Sequence, residues 1–141
     1  MPPLTRALLK AGFLALLASL GLELLQLRPA GLWPALPGAA LHLLALHLVT
    51  VGWLFQVITG VAFWMFPKHP THPPRGPEWL GWAAFLLMNT GLGFRLAGEP
   101  WRLGWNGPAW PLQLSALLQL AAVACATTLL WPRIRGLKAD G

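Results

Sequence analysis

The amino-acid sequence predicts an all-α membrane protein: a single domain over residues 1–141 with four transmembrane helices in an up-down bundle and both termini in the cytoplasm. The composition is 56% hydrophobic and only 10% charged, whereas a soluble domain carries about 25% charged residues. The apolar residues gather in four runs, each long enough for a helix that crosses a bilayer. The runs cover residues 4–27, 39–66, 79–97 and 110–131.

The first two runs form the predicted first hairpin. Arg6 and Lys10 precede an uninterrupted apolar stretch over 11–22, as in a signal peptide. The apolar character continues beyond that stretch and no small-residue cleavage site follows, so we expect a retained helix. The second run has 28 residues, more than the roughly 20 that cross the hydrocarbon core, and its helix is therefore expected to tilt or project.

A proline-rich connection separates the two hairpins. Residues 67–78 read PKHPTHPPRGPE, and prolines at this density exclude a helix because each lacks an N–H and clashes with the preceding turn. The third helix is expected to end at Ala97, because the glycine, tryptophan and proline residues of 98–109 indicate a loop. The fourth run is followed by a basic tail.

The placement of Lys and Arg predicts the orientation, because cytoplasmic flanks of membrane helices carry an excess of both. Seven flank the side that holds the termini: Arg6, Lys10, Lys68, Arg75, Arg133, Arg135 and Lys138. Three flank the other side: Arg28, Arg95 and Arg102. Eight of the nine tryptophans lie near predicted helix ends, as in the aromatic belts of membrane proteins. We therefore expect the protein to lie in the inner membrane of a bacterium, with the lipid bilayer as its first partner.

Charge and cysteine content narrow the possible functions. The net charge is +6, but the basic residues flank the apolar runs instead of forming one stripe, so nucleic-acid binding is not expected. Cys125 is the only cysteine, which excludes an intrachain disulfide and a CxxC motif. The sequence contains no recognisable nucleophile–base pair, carboxylate dyad or phosphate-binding loop, so it does not indicate a catalytic mechanism.

Two histidines of the second helix are the candidate cofactor and metal ligands. An ionisable side chain within a membrane span is costly and is a functional candidate for that reason. His42 and His47 are five residues apart, so their rings point about 140° apart around a helix and cannot easily hold one metal from a single copy. Imidazole ligates haem iron, copper and zinc. The alternative is a hydrogen bond from each histidine to a neighbouring helix.

The two histidines belong to different faces of the predicted helix. Small residues share the side of His42 and suit close helix packing. They are Ala45, Val49, Gly52, Gln56 and Gly60. Bulky apolar residues share the side of His47 and suit a flat macrocycle, lipid or a second subunit. They are Leu43, Leu54, Ile58 and Val61.

Arginines on the outer side of the predicted bundle provide further candidates. Arg95, near the outer end of the third helix, Arg102, in the loop that follows it, and Arg28 can pair with the propionates of a haem that His47 ligates. The alternative for Arg95 is an ion pair with Glu23 of the first helix, since buried charges in membranes usually pair. Gln56 and Asn89 are expected to form hydrogen bonds between helices.

The segment 47–67, HLVTVGWLFQVITGVAFWMFP, carries a pattern that points to a family. A histidine precedes a Gly-Trp pair, then Gly-Val-Ala with two aromatic residues, and a closing proline: His47, Gly52, Trp53, Gly60, Val61, Ala62, Phe63, Trp64 and Pro67. This pattern resembles helix II of the catalytic subunits of haem-copper oxidases, most closely the nitric oxide reductase and C-type oxidase branch. The chain also looks like the short four-helix proteins described as oxidase subunit I-like. The resemblance implies that His47 is an axial ligand of a low-spin haem b.

The departures from that family limit the implied function. Ala45 stands where many relatives have a second histidine, and no other predicted span contains a histidine, so reduction of oxygen or nitric oxide by this chain alone is not expected. The resemblance implies a haem-binding membrane module for electron transfer, gas-ligand sensing or oxidase assembly. A second axial ligand would come from a homo-oligomer or from a respiratory complex. The alternatives are a cofactor-free accessory subunit and a copper or zinc protein that uses His42 and His47 of two copies.

Overall fold

The computed structural model describes residues 1–27, 38–68 and 73–134. Within these residues the chain forms helices and no β-strand, which confirms the all-α prediction. Four helices follow one another: α1 Pro3–Gln26, α2 Gly38–Met65, α3 Glu78–Trp105 and α4 Trp110–Leu130, which continues into a 3-10 turn over Trp131–Arg133. The observed ends of α1, α2 and α4 differ from the predicted ends by one residue at most.

Three of these helices are long and apolar enough to cross a membrane: α1, α2, and α4 together with its 3-10 turn. Only 22% to 33% of the most apolar stretch of each is buried inside the bundle, so most of their apolar side chains face outward. Outward apolar surfaces of this extent are not stable in water and need lipid or another protein as their surroundings. The helices therefore indicate a membrane protein.

Hydrogen bonds between α1 and α2 show that the first hairpin is antiparallel. Near one end, Thr5 Oγ1 donates to the Gly60 carbonyl over 3.1 Å. Near the other end, Ser19 Oγ donates to the Ala45 carbonyl over 2.9 Å. We call the end that holds Thr5 the terminal end of the bundle, and the end that holds Ser19 the far end. Buried hydroxyls that donate to carbonyls across helices are typical of packing in lipid.

The second hairpin packs antiparallel in the same way and joins the first through two amides. Ser115 Oγ of α4 donates to the Gly91 carbonyl of α3 over 2.7 Å. Gln56 of α2 and Asn89 of α3 exchange two side-chain hydrogen bonds, at 3.1 and 3.3 Å. This reciprocal pair confirms the predicted interhelical role of both amides. The four helices therefore alternate in direction, as in an up-down bundle.

The predicted small-residue strip of α2 does pack closely against α1. A Cβ added to Gly52 would lie 2.8 Å from the Cβ of Ala15, and one added to Gly60 would lie 3.1 Å from the Cβ of Leu8. Glycine is required at both positions because a side chain would push the two helices apart. His42 departs from the strip, since it is exposed while the glycines are buried.

Helix α3 continues for two turns beyond its predicted end at Ala97. Gly98 does not begin a loop: it lies against α4, where an added Cβ would be 2.9 Å from Leu112 Cδ2 and 3.1 Å from Pro111 Cβ. Pro100 lies inside the helix, where its missing N–H leaves one main-chain carbonyl without a helical donor. The helix ends at Asn106, which adopts a left-handed conformation with φ 51°, a common way to end a helix.

Helix α2 is not a uniform α-helix. Its α-helical part over Gly38–His47 is followed by an eight-residue π-helix over Leu48–Phe55, and the α-helix resumes over Gln56–Met65. A π-helix bonds each N–H to the carbonyl five residues back, is rare, and is frequently found at functional sites. The uniformly apolar sequence gives no sign of this widened segment.

Candidate functional site

His47 is the last residue before the π-helix, and one hydrogen bond determines which of its ring nitrogens carries a proton. Its Nδ1 lies 2.8 Å from the Leu43 carbonyl oxygen, one turn earlier on the same helix. A carbonyl only accepts, so Nδ1 must carry the proton in this contact. In the neutral imidazole the lone pair is then on Nε2, which is the arrangement that histidine ligands of metals and haem iron adopt.

Two further side chains donate to main-chain carbonyls around the widened segment. Thr50 Oγ1 donates to the Leu46 carbonyl over 2.7 Å, and Gln56 Nε2 donates to the Gly52 carbonyl over 2.8 Å. Both acceptors lie four residues before the donor, like the acceptor of His47. Side-chain donors of this kind compensate carbonyls where the regular helical ladder is disturbed. The contact of His47 is therefore one of three separate side-chain hydrogen bonds to main-chain carbonyls that accompany the change in helix type.

The face of α2 that carries His47 points away from the other three helices. His47 is half-buried, and its neighbours on that face are exposed, including Leu43, Leu54 and Ile58 at 39%, 40% and 63%. The predicted contrast between a small-residue face and a bulky face is thus observed as an inward face and an outward face. A planar group bound at His47 would lie on the outside of the bundle, against leucine side chains.

His42 is held in a separate cluster at the far end. Its Nδ1 lies 3.3 Å from Glu23 Oε1 of α1, and Gln26 Nε2 donates to the second oxygen of the same carboxylate over 2.9 Å. The His42 and Glu23 side chains are 56% and 46% exposed. The structure therefore does not bring His42 and His47 of one chain to a common ligand, in agreement with the angle between them.

Arg95 pairs with Glu99 of its own helix, and not with Glu23. Arg95 Nη2 lies 3.2 Å from Glu99 Oε1, and the two side chains are only 19% and 5% exposed. The α3 extension makes this contact possible because it keeps the two residues one helical turn apart. The predicted alternative, an ion pair with Glu23, does not form, since that carboxylate contacts His42 instead.

Arg102 lies on nearly the same side of α3 as Arg95, two turns and about 10 Å further toward the far end. It is exposed, and its Nη1 donates to the Gly107 carbonyl over 3.3 Å. Its hydrogen-bond acceptor is neutral, so the charge of Arg102 is not compensated by that contact. The structure leaves Arg102, more than Arg95, available to a carboxylate ligand.

The packing register relates the arginines to the histidine in depth. Gln56 faces Asn89, and Gly52 packs on Leu92. His47 is five residues beyond Gly52, so in antiparallel packing its level on α3 is about five residues beyond Leu92, within about 3 Å of Arg95 along the helix axis. The arginines therefore share the part of the bundle that holds His47, although the structure shows no contact between them.

An apolar groove of about 480 Å³ lies on α2 toward the terminal end of the bundle, and not at His47. It is lined by Val57, Ile58, Val61, Ala62, Met65 and Phe66. The nearest of these residues is ten positions from His47, or about 15 Å along a helix. The groove is therefore not the binding place of a group that His47 ligates.

Within residues 1–27, 38–68 and 73–134, no three histidine, cysteine, aspartate or glutamate side chains form a group that could hold a metal ion. His69 and His72 of the proline-rich connection lie outside the described residues, as does Arg28, the third predicted propionate partner. No protein-family model, curated protein or solved structure matches the chain.

The sequence does not reveal the buried arginine at the terminal end. The basic tail predicts a solvated Arg133, but this side chain is only 1% exposed and lies in the 3-10 turn after α4. The loop predicted over 98–109 is likewise wrong for Glu99, which is a buried residue of α3. The spacing of Arg95 and Glu99, four residues apart, was the signal that could have extended α3 through Pro100.

Proposed function

We propose that this protein is a haem-binding membrane module in which His47 is an axial ligand of haem b. The observation that carries the proposal is the hydrogen bond from His47 Nδ1 to the Leu43 carbonyl. It fixes the tautomer and the ring orientation, and it directs the lone pair of Nε2 away from the helix. The π-helix that begins at the next residue supports a functional role for this position.

The residues present fit one side of a haem. A half-buried imidazole beside exposed leucines offers a ligand and an apolar surface for the macrocycle. Bound haem would supply a one-electron couple, or a site for a diatomic gas if one axial position stayed free. His42 of the same chain is held by Glu23 on a different side of the helix, so it does not serve as the second ligand.

A second copy of the chain is the simplest source of that ligand. The outward face of α2 is apolar and unpartnered within the described residues of one chain, and a two-fold axis beside it would bring two copies of His47 toward one haem. We therefore propose a homodimer around a bis-histidine haem that serves electron transfer. A subunit of a respiratory complex is the alternative partner.

Arg102 is the proposed partner of a haem propionate. Arg95 is already neutralised by Glu99, whereas Arg102 bonds only to a main-chain carbonyl among the described residues. A propionate directed toward the far end would reach the more polar boundary of the membrane and gain a charge-assisted hydrogen bond there.

We also propose that α3 is the fourth membrane span and that both termini are cytoplasmic. The apolar part of α3 over 79–97 would be about 28 Å long, close to the roughly 30 Å of the hydrocarbon core. The neutral Arg95–Glu99 pair lowers the cost of placing charges near that boundary. Reporter fusions at the two termini and after Gly107 test this: the termini should report the cytoplasm and the internal site the opposite side, and any other pattern contradicts the topology.

The decisive experiment is the absorption spectrum of the detergent-purified protein, as isolated and after titration with haem b. We expect a Soret band at about one haem per two chains, and loss of the band in His47→Ala. His42→Ala is the matched control, because it removes the same side chain from the same helix and should keep the band. The thermal unfolding midpoint of each variant shows whether a lost band reflects a lost ligand or a lost fold.

Three results separate the competing functions. A colourless protein that does not respond to added haem would contradict the proposal and favour a cofactor-free accessory subunit. Copper or zinc retained after washing, and lost in either histidine variant, would favour a metal protein instead. A band that shifts with carbon monoxide would indicate a free axial position, and therefore gas sensing in place of electron transfer.

A further inference from the structure

Arg133 caps the C-terminal end of α2 with a buried side chain. Its Nη2 donates to the carbonyls of Phe63 and Phe66 over 3.0 and 2.7 Å, and its Nε donates to the Pro67 carbonyl over 3.1 Å. The guanidinium also lies over the Phe63 ring, 5.5 Å from the centroid. The last carbonyls of a helix lack internal donors, so a cation at this place satisfies them and interacts favourably with the helix dipole.

This capping role uses only part of the guanidinium. Arginine has five N–H donors in a planar fork, and the three hydrogen bonds above involve Nε and Nη2. Nη1 is buried and has no hydrogen-bond partner among the described residues. Buried donors of a charged group are costly when they stay unpaired. The cap of α2 therefore does not explain the whole side chain.

A second arginine lies in the same region, on the turn that precedes α3. Burial is the larger electrostatic cost to the positive charge of Arg133, and the nearby charge of Arg75 adds a smaller repulsion. The Nε of Arg75 is also buried without a partner in the described part of the chain. The turn that carries Arg75 packs on α4, where a Cβ on Gly76 would lie 3.2 Å from Leu129 Cδ1, one turn before Arg133. No described carboxylate forms an ion pair with either arginine.

A small groove lies beside Arg133. It has a volume of about 160 Å³ and is lined by Phe66, Pro67, Arg133 and Ile134. Arg133 is the one charged residue of this lining, so the groove combines a cation with an apolar surface that suits hydrocarbon or glycerol. The groove lies at the terminal end of the bundle, where α2 and α4 end.

We propose that Arg133 and Arg75 bind a phosphate group, in the form of the headgroup phosphate of an anionic phospholipid. A phosphate accepts from Arg133 Nη1 and Arg75 Nε, which have no other partners among the described residues, and its charge relieves the repulsion between the two guanidinium groups. Basic pockets between helices at the cytoplasmic boundary are suited to anionic lipid headgroups. This site lies at the terminal end of the bundle, whereas His47 lies toward the far end, and the proposal does not depend on haem.

Lipid binding to the full chain tests the proposal. The purified protein is delipidated, and its binding of phosphatidylglycerol and of phosphatidylcholine is measured by native mass spectrometry and by the thermal unfolding midpoint. We expect phosphatidylglycerol to bind about tenfold more tightly, and Arg75→Gln to remove that preference. Arg75→Gln leaves the α2 cap in place, whereas Arg133→Gln serves as a second variant that removes both functions.

Arg6→Gln is the matched control, because Arg6 is an exposed arginine at the same end of the bundle. It should keep the preference within about twofold, which separates a defined site from general attraction between basic residues and anionic lipid. Equal losses in Arg6→Gln and Arg75→Gln would overturn the proposal. So would equal binding of the two lipids by the unaltered protein.

Two further arms identify the source of the anion. Inorganic phosphate that displaces phosphatidylglycerol or raises the midpoint by itself would assign the site to free phosphate, with the same arginines. Asp140, which lies outside the described residues, is the chain's own candidate anion. If only Asp140→Asn acquires the preference for phosphatidylglycerol, that carboxylate holds the site and the lipid proposal is wrong.

Discussion

The two faces of α2 use the same kinds of atoms in different ways. On the inward face, Gln56 exchanges hydrogen bonds with Asn89, and the Ala45 carbonyl accepts from Ser19 of α1. On the outward face, His47 and Thr50 donate only to carbonyls of their own helix. Polar groups of the inward face thus hold helices together, whereas those of the outward face do not contribute to packing within one chain.

This difference separates stability from function along a single helix. An inward polar group in a membrane protein is explained by the helix contact that it makes. An outward imidazole has no such explanation, and in lipid its cost needs a compensating ligand or partner. The contrast therefore predicts that inward substitutions change stability, whereas His47→Ala changes ligand binding with little change in stability.

The largest effect on stability is expected from Gly52→Leu. Gly52 is buried between α1 and α3, with Ala15 Cβ 2.8 Å and Leu92 Cδ1 3.3 Å from the position of an added Cβ. A leucine there would separate the helices and should cost about 3 kcal/mol of unfolding free energy, since overpacking of a tight interface typically costs 1–3 kcal/mol and occasionally more. Unfolding in detergent, followed by circular dichroism, measures the loss.

Gly93→Leu is the control for that change. Gly93 lies in the middle of α3 on an exposed face, and a Cβ at this position would meet nothing within 4 Å. The same substitution should therefore leave stability unchanged or raise it slightly, because leucine favours a helix more than glycine does. Equal destabilisation by both variants would show that helix contacts do not explain the inward glycines.

The fold was predictable from the sequence wherever a residue pattern is compatible with only one kind of structure. The apolar runs gave α1, α2 and α4 because lipid-facing helices are apolar over their whole length. The end of α3 was misplaced because Gly98 has two possible meanings. In a loop, glycine provides conformational freedom; here it allows α3 to approach Pro111 and Leu112 of α4, which cannot be read without the neighbouring helix.

The sequence predicted which residue is the candidate ligand, but it did not predict the contacts or the helix geometry around that residue. His47 stood out because an imidazole in an apolar run is costly, yet its Leu43 contact and the π-helix after it depend on packing. A uniformly apolar run carries no period that would distinguish the two kinds of helix. Arg133 was hidden for a related reason: Lys and Arg near helix ends are expected on topological grounds, and a buried one looks the same in the sequence.

The smaller expected effect concerns the amide pair that joins the two hairpins. Gln56→Leu and Asn89→Leu each remove both hydrogen bonds between α2 and α3 and should each cost about 1 kcal/mol, the magnitude of interhelical hydrogen bonds in lipid. The double variant should cost clearly less than the two single variants together, because the same interaction is lost only once. Thr50→Val, which removes a hydroxyl from the outward face, should change stability by no more than about 0.5 kcal/mol. If the two amide variants proved additive, or if Thr50→Val cost as much as Gln56→Leu, the difference between the inward and outward faces would not be energetic.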